Sequence, residues 1–364
     1  MKRSLAKLIR WGGLLLLLVG IAFFGFVWFG TYHPANIEPT TVTCPESAPT
    51  IQTGQSLKVL TWNVQTMSGK NYVFWNDLPN GDGPDERPSP EDITLTLSEV
   101  ARIIKDENPD VILLEEIDNG AARTDYEDQF ARLKELLPSD YVCSASAYYW
   151  KAIYVPHPRI HGKVGWTMVI LSKYQIGAAE RLQLALPPNN WLMQQFSPKR
   201  AILKAHLPIA QGGEFVVMAT HLDVVPQGTT TKEIQVGQIN DLLTSLTGAG
   251  VPWVIGGDFN LLPFDDSAYQ RLSIAEQSSY NPHSEIKLLY DNYQAVPSAD
   301  EVTGADFAQW FTWFPNDPSI PYPDRTLDYL FLSHTLKIGE HYVRQTDTQD
   351  ISDHFPVIAV IQLP

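Results

Sequence analysis

Cysteine is almost missing from this chain: 364 residues hold two, Cys44 and Cys143. Neither belongs to a CxxC pair, which excludes a zinc ribbon or a thioredoxin-like redox centre. One long-range disulfide is open to them in an oxidising compartment. Two unpaired, small apolar side chains are the preferred reading of the sequence. Positive charge is also scarce, with 26 Lys and Arg against 41 Asp and Glu, for a formal net charge of −15. The only charges before residue 31 are four positive ones (Lys2, Arg3, Lys7 and Arg10), so the remainder carries −19. Such a body has no general attraction for polyanions, which argues against tight non-specific nucleic-acid binding but leaves room for a local cationic groove. HExxH, GxSxG and P-loop motifs are all missing. Zinc proteolysis, serine hydrolysis and nucleoside-triphosphatase chemistry therefore lack their residues.

One long hydrophobic run is present. Trp11 to Phe29 is an uncharged stretch of 19 residues. At about 1.5 Å per residue, a helix of that length nearly spans a hydrocarbon core of ~30 Å. Basic residues flank it only on the N-terminal side, so the positive-inside rule predicts a cytoplasmic N-terminus (1–10), a transmembrane anchor (11–30) and an extracytoplasmic remainder. A cleaved signal peptide is the alternative. Its apolar region is usually shorter, and the bulky Phe26-Val27-Trp28-Phe29 offers no small-residue cleavage site. Residues 31–56, rich in Pro, Thr and Ser, read as a linker.

From Leu57 to the C-terminus, strand-like and helix-like patterns alternate within one catalytic-size domain (57–364). Strands are expected over 57–63, 110–117, 167–171, 201–207, 214–222, 252–257, 327–333 and 354–362. A helix begins at Ser89-Pro90, an N-cap followed by a proline suited to the first helical position. Ile93, Leu97, Val100 and Ile104 continue it at helical spacing, and Pro109 ends it. Further helices are expected over 125–137 and 231–246, the latter with Ile234, Ile239, Leu242, Leu243 and Leu246 apolar. Strands that follow one another without intervening helices favour two packed sheets over a doubly wound parallel sheet. Residues 76–90 and 277–324 read as long loops, which are usually functional in compact domains.

Polar residues stand at the ends of these apolar runs: Asn63, Glu115 and Glu116, His221 and Asp223, Asp258 and Asn260, then Asp353 and His354. Asp328 lies inside LDYLFL, where a carboxylate needs a partner. Each has an ordinary explanation as a turn, cap or satisfied core group. Together they form a set selective for strand ends, and the chemistry such a set supports is metal-assisted phosphoryl transfer. Mg²⁺ takes oxygen ligands, typically one or two carboxylates plus water and phosphate. A histidine beside a carboxylate transfers protons or binds a phosphoryl oxygen.

The ordered motifs TWN (61–63), LLEEI (113–117), ILSK (170–173), ATHLD (219–223), GGDFN (256–260), LDYLFLS (327–333) and SDHFPV (352–357) resemble the endonuclease/exonuclease/phosphatase superfamily, the DNase I-like hydrolases. The resemblance covers more than four-fifths of the chain. It implies an α/β fold, a four-layer α/β/β/α sandwich with the site at one edge of both sheets, here preceded by one transmembrane helix. It implies a metal site at Glu116 and Asn63, with Asp353 nearby, holding Mg²⁺ or another divalent cation such as Mn²⁺. It implies that Asp258 and Asn260 position or activate the attacking water, that His221 contacts phosphate oxygens, and that His354 is a catalytic histidine oriented by Asp328. Two positions depart from the usual pattern: Glu115 where Gln is common, and Lys173 where Arg is common. The partner implied is a phosphoester substrate. Nucleic acid is the first reading and a phospholipid or small phosphoester the alternative; a silent binding module is remote. Lys199, Arg200 and Arg325 are candidate phosphate-facing cations. A basic groove beside the site would favour nucleic acid, and an apolar rim facing the anchor would favour lipid.

Overall fold

The computed structural model describes residues 2–78, 80–160, 162–224 and 228–364. Met1 of the basic N-terminal segment and Pro79 of the first long loop lie outside the described residues. In chain order the strands are β1 (Ile37–Pro39), β2 (Val42–Thr43), β3 (Ser56–Asn63), β4 (Val111–Asp118), β5 (Cys143–Val155), β6 (Gly162–Ser172), β7 (Ala178–Gln183), β8 (Ala201–Pro208), β9 (Glu214–His221), β10 (Trp253–Asp258), β11 (Gln294–Val296), β12 (Asp328–Leu332), β13 (Lys337–Val343) and β14 (Val357–Gln362). The principal helices are α1 (Lys2–Gly30), α2 (Pro90–Glu107), α3 (Gln129–Leu136), α4 (Trp191–Phe196) and α5 (Thr231–Gly248).

Two sheets form, ordered β13-β14-β3-β4-β6-β5-β2 and β1-β7-β8-β9-β10-β12-β11. Strand alternation explains why they stack. In β3, Leu57 and Val59 face the second sheet, while Leu60 and Trp62 face outward to α2, the two-residue period of a pleated strand. The inner layer joins Val111, Leu113 and Ile170 to Leu203, Val217, Val254 and Leu330. Outside the first sheet, Ile93, Leu97, Val100 and Ile104 of α2 cover Ile112 and Leu114. Outside the second, Val236, Ile239 and Leu243 of α5 cover Met218, Trp253 and Ile255. This is the four-layer sandwich expected. Strands sandwiched between a sheet and helices are buried on both faces, which is why β10 reads as a continuous run with every residue buried.

The α2 start is as expected: Ser89 Oγ accepts from Asp92 N at 3.1 Å, and Pro90 opens the helix. Of the apolar residues of α5, Ile234 points to solvent, while Gln235 and Val236 take inward positions. Two expectations need correction. The last strand begins at Val357, because Phe314 N and Phe355 N bond to Asp353 O and Thr312 O, which ties His354 to Trp313 in an isolated antiparallel bridge outside the strand. Residues 277–324 are not bare loop: a helix (Lys287–Asn292), β11 and a second short helix (Ala299–Thr303) occupy much of them.

Cys44 and Cys143 form a disulfide across 99 residues of sequence, which overturns the unpaired reading. It joins the start of β5 to the segment just after β2. A cross-link closing so long a loop removes much unfolded-state entropy. Replacing both cysteines by serine is expected to lower stability by about 2–4 kcal/mol, read as a lower denaturant midpoint.

Candidate active site

The functional row is built by strand register. Asp258, the last residue of β10, pairs with His221 at the end of β9 and with Asp328 at the start of β12. Three polar side chains therefore lie side by side at one edge of the second sheet. In the first sheet, Asn63 at the end of β3 pairs with Glu115 of β4. The two edges meet because the sheets pack face to face. The glycines before Asp258 permit this: a Cβ on Gly256 would strike Leu330 and Leu113, the latter on the opposite sheet, and one on Gly257 would lie 1.8 Å from Thr220 O.

Asp258 Oδ2 is the hub. It accepts from Asn63 Nδ2 (3.2 Å) and Asn260 Nδ2 (3.2 Å), and lies 3.3 Å from His221 Nε2 and 3.7 Å from His354 Nε2. Oδ1 accepts from Asn260 N at 2.8 Å. His354 Nδ1 bonds to Asp328 Oδ2 at 2.8 Å. Ser352 Oγ donates to Asn63 O and accepts from His354 N, at 2.8 and 3.2 Å, and Trp62 Nε1 donates to His354 O. These bonds tie the SDH turn to the end of β3.

Glu116 is aimed by a bulge. The β4–β6 register shifts between Leu114 and Ile117, and Glu116 takes a left-handed φ of 57°, uncommon for a residue with a Cβ. Consecutive strand residues otherwise face opposite sides. The bulge brings Glu116 Oε1 to 3.3 Å from Asn63 Nδ2 and 4.0 Å from His221 Nδ1. Glu115 points inward, fully buried, against Thr61 Oγ1 at 3.3 Å.

A family model for the Endonuclease/Exonuclease/phosphatase family matches residues 60–354, which hold every one of these side chains. The chain belongs to the endonuclease/exonuclease/phosphatase family. It is a phosphoester hydrolase of that divalent-metal-dependent family. Its fold is similar to that of an endonuclease/exonuclease/phosphatase from Beutenbergia cavernae DSM 12333, at 24% identity and a TM-score of 0.57, covering 85% of this chain and 72% of that one. It is also similar to TDP2 from Caenorhabditis elegans, at 17% identity and a TM-score of 0.50, covering 85% and 75%. At such identities the likeness concerns the fold. No curated protein matches the chain.

Within this family site, burial dominates the electrostatics. It pushes Glu116 up to about 7, with the Asp353 charge adding to the rise. It likewise pushes Asp258 up to about 7, with His354 opposing and Asp328 adding. Glu115 is driven well above the carboxylate range by burial and then by Asp328 and Asp258, so it is held neutral. Burial pulls both histidines down. His221 falls well below its ordinary value, with Arg200 and His354 contributing. In His354 the charges of Asp328 and Asp258 outweigh burial and hold it well above.

Two sets of donors compete for a divalent cation. Asp258, Asp328 and His354 bring ligand atoms within 4.8 Å of one another, but His354 Nδ1 is already bonded to Asp328. That set fits an oriented imidazole better than a metal. Glu116, Asn63 and Asp353 are all oxygen donors, as Mg²⁺ prefers. Burial and then the Asp353 charge resist ionisation of Glu116, and a bound cation would relieve both; the residues fit the metal.

The structure adds Tyr149 and Gln235 to the site and brings Arg200 and Asp223 beside it. Tyr149 is buried with its ring 5.4 Å from His221. The Arg200 guanidinium lies 5.1 Å above Tyr149, with Nε 3.4 Å from Asp223 Oδ1. Gln235 fixes the other Asp223 oxygen at 2.7 Å. Asp223 stands in the quoted ATHLD motif, whereas nothing local in the sequence marks Gln235. Lys199 bonds to the Gln194 and Ser197 carbonyls, and Lys173 to Asn108 at the opposite end of β6; neither faces the site. Arg325 is locked by Asp324 and Glu276.

Proposed function

We propose that this chain is a membrane-anchored phosphodiesterase with its catalytic domain outside the cytoplasm, using Mg²⁺ at Glu116, Asn63 and Asp353. The observation that carries the reading is Asp258 Oδ2, which gathers Asn63, Asn260, His221 and His354 onto one buried carboxylate oxygen. The extracytoplasmic location draws on α1, whose Leu5–Gly30 stretch is long and apolar enough to cross a membrane, on the basic residues before it, and on the disulfide.

The bound cation supplies Lewis acidity toward phosphoryl oxygen and water. The chain's own groups supply the rest. Asp258, poised near neutrality, accepts the proton of the attacking water, and Asn260 holds its carboxylate in place. His354, kept protonated by Asp328, donates to a phosphoryl or leaving oxygen. His221 stays neutral and, with the Arg200 guanidinium, whose NH1 has no partner among the described residues, faces the phosphate. Asp328 is a positioning residue.

Nucleic acid is the less favoured substrate. The cations around the site are engaged internally: Arg123 bonds bidentately to Asp118, Lys232 to the Asn260 and Ser279 carbonyls, and Arg325 to two carboxylates. Little free positive charge is left to track a polyanionic strand. The test is turnover by the full-length protein in detergent with Mg²⁺. Bis(p-nitrophenyl) phosphate is expected to be hydrolysed, supercoiled plasmid only slowly, and p-nitrophenyl phosphate hardly at all. A protein that cleaves only the monoester is no phosphodiesterase, and one that prefers plasmid is a nuclease.

A further inference from the structure

The membrane helix does not leave the catalytic domain freely. Val27 and Gly30 of α1 are buried against it, and Thr31 forms an antiparallel bridge to Ala152 of β5. Gly30 lies so near Ile153 that a Cβ there would come within 2.9 Å of its Cγ1. Further down the helix, the Phe24 ring meets the Trp191 indole of α4 at 5.4 Å. Phe24 precedes Gly30 by about 9 Å of helix axis at ~1.5 Å per residue. The run Trp11–Phe29 must fill a hydrocarbon core of ~30 Å, so Phe24 lies within it. Trp191 is therefore drawn below the level at which α1 emerges.

What surrounds Trp191 suits that depth. Trp191, Leu192 and Met193 of α4 are 48%, 41% and 57% exposed, and Ile153 and Tyr154 of β5 are 56% and 40% exposed. Trp150 Nε1 donates to Phe196 O at 2.7 Å and fixes the two elements together. Residues 182–198 carry no charge. An uncharged, aromatic-bearing exposed surface is the composition of a membrane-seated face.

This face lies at the catalytic end of the sandwich. Ile202, at the start of β8 just beyond α4, pairs with Thr220, the neighbour of His221. Ile153 follows Tyr149, which packs on His221, by about 13 Å of strand at ~3.3 Å per residue.

We propose that α4 and the outer half of β5 are seated in the leaflet from which α1 emerges, with Trp191, Leu192, Met193, Ile153 and Tyr154 at the acyl–headgroup boundary, so that the catalytic edge faces the bilayer surface. The proposal rests on reading α1 as a membrane span, and it deepens the proposed function by favouring a phosphodiester carried in that surface. The test needs no turnover, so its failure is separate from failure of the enzymatic reading. Full-length Met193→Cys, Ile153→Cys and Gln211→Cys proteins, each labelled with an environment-sensitive fluorophore, are reconstituted into phosphatidylcholine–phosphatidylglycerol vesicles bearing shallow nitroxide lipids. Gln211 lies in the β8–β9 turn at the far end of the sandwich. The native cysteines are paired and do not compete for label. Quenching at Met193 and Ile153 is expected to be about threefold stronger than at Gln211. Quenching no stronger than at Gln211 overturns the proposal. A blue-shifted but unquenched Met193 probe in cross-linkable pairs does so as well, because it shows the face covered by a second copy.

Discussion

Alanine at His354 is expected to lower kcat by about 10²–10⁴-fold, the usual worth of a positioned acid–base group. The fold should survive. The deletion strands Asp328, whose Oδ1 already lacks a partner among the described residues, and an unsatisfied buried polar group costs about 1–3 kcal/mol. That loss is visible by thermal melt but smaller than the stability of a typical domain. The informative companion is Asp328→Asn, which keeps the shape and removes the charge. Asp328 is the strongest of the influences that raise His354, with Asp258 next and burial opposing them. A general acid must be protonated to act, so its folded-state value sets the alkaline limb of the rate–pH profile. Losing the Asp328 charge lowers that value, and the alkaline limb should move to lower pH. A merely structural Asp328 would change the rate and leave the limb in place. Full activity in His354→Ala would remove His354 from the mechanism.

How much of this was legible in the sequence divides along local and non-local lines. Polar residues ending apolar runs marked Asn63, His221, Asp258, Asp328 and His354, because a buried strand offers no ordinary reason for them. The α2 cap was readable since Ser89-Pro90 carries its own mechanism. The division of labour in Glu115-Glu116 was not readable. Two adjacent acids look alike in sequence, and only the bulge with its left-handed φ at Glu116 sends one to the metal set and leaves the other neutral in the interior. The cysteines were undecidable for a similar reason, since pairing across 99 residues depends on β5 lying beside β2. β5 carries no strand signal of its own: CSASAYYWKAIYV mixes small, aromatic and charged residues, because its far end runs to the surface beside α1. Local rules fail where a segment answers to two environments at once.

Removing divalent metal is expected to abolish turnover, and restoring Mg²⁺ to stabilise the fold as well as the activity. A ligand at ~100 times its Kd adds about 2.7 kcal/mol to the native state, enough for a clear shift in thermal midpoint. The sign of the pH dependence follows from the carboxyls. Burial raises both Glu116 and Asp258 to about 7, so below that pH the metal-free protein holds protons that a cation must displace. Binding should therefore release protons near pH 6.5 and weaken as pH falls, and the Mg²⁺-induced stabilisation should be larger at pH 8 than at pH 6. Calorimetry in buffers of different ionisation heat measures the released protons. Glu116→Gln separates this account from non-specific screening: it keeps the side-chain volume and removes the titrating donor. In that variant both the Mg²⁺ stabilisation and most of the proton release should vanish, while the metal-free protein gains stability at pH 8, where the buried carboxylate is costly. If Mg²⁺ stabilises Glu116→Gln as well as the parent, the cation sits elsewhere. The cluster of Asp258, Asp328 and His354 would then be the better place for it, and the part assigned to His354 would have to change with it.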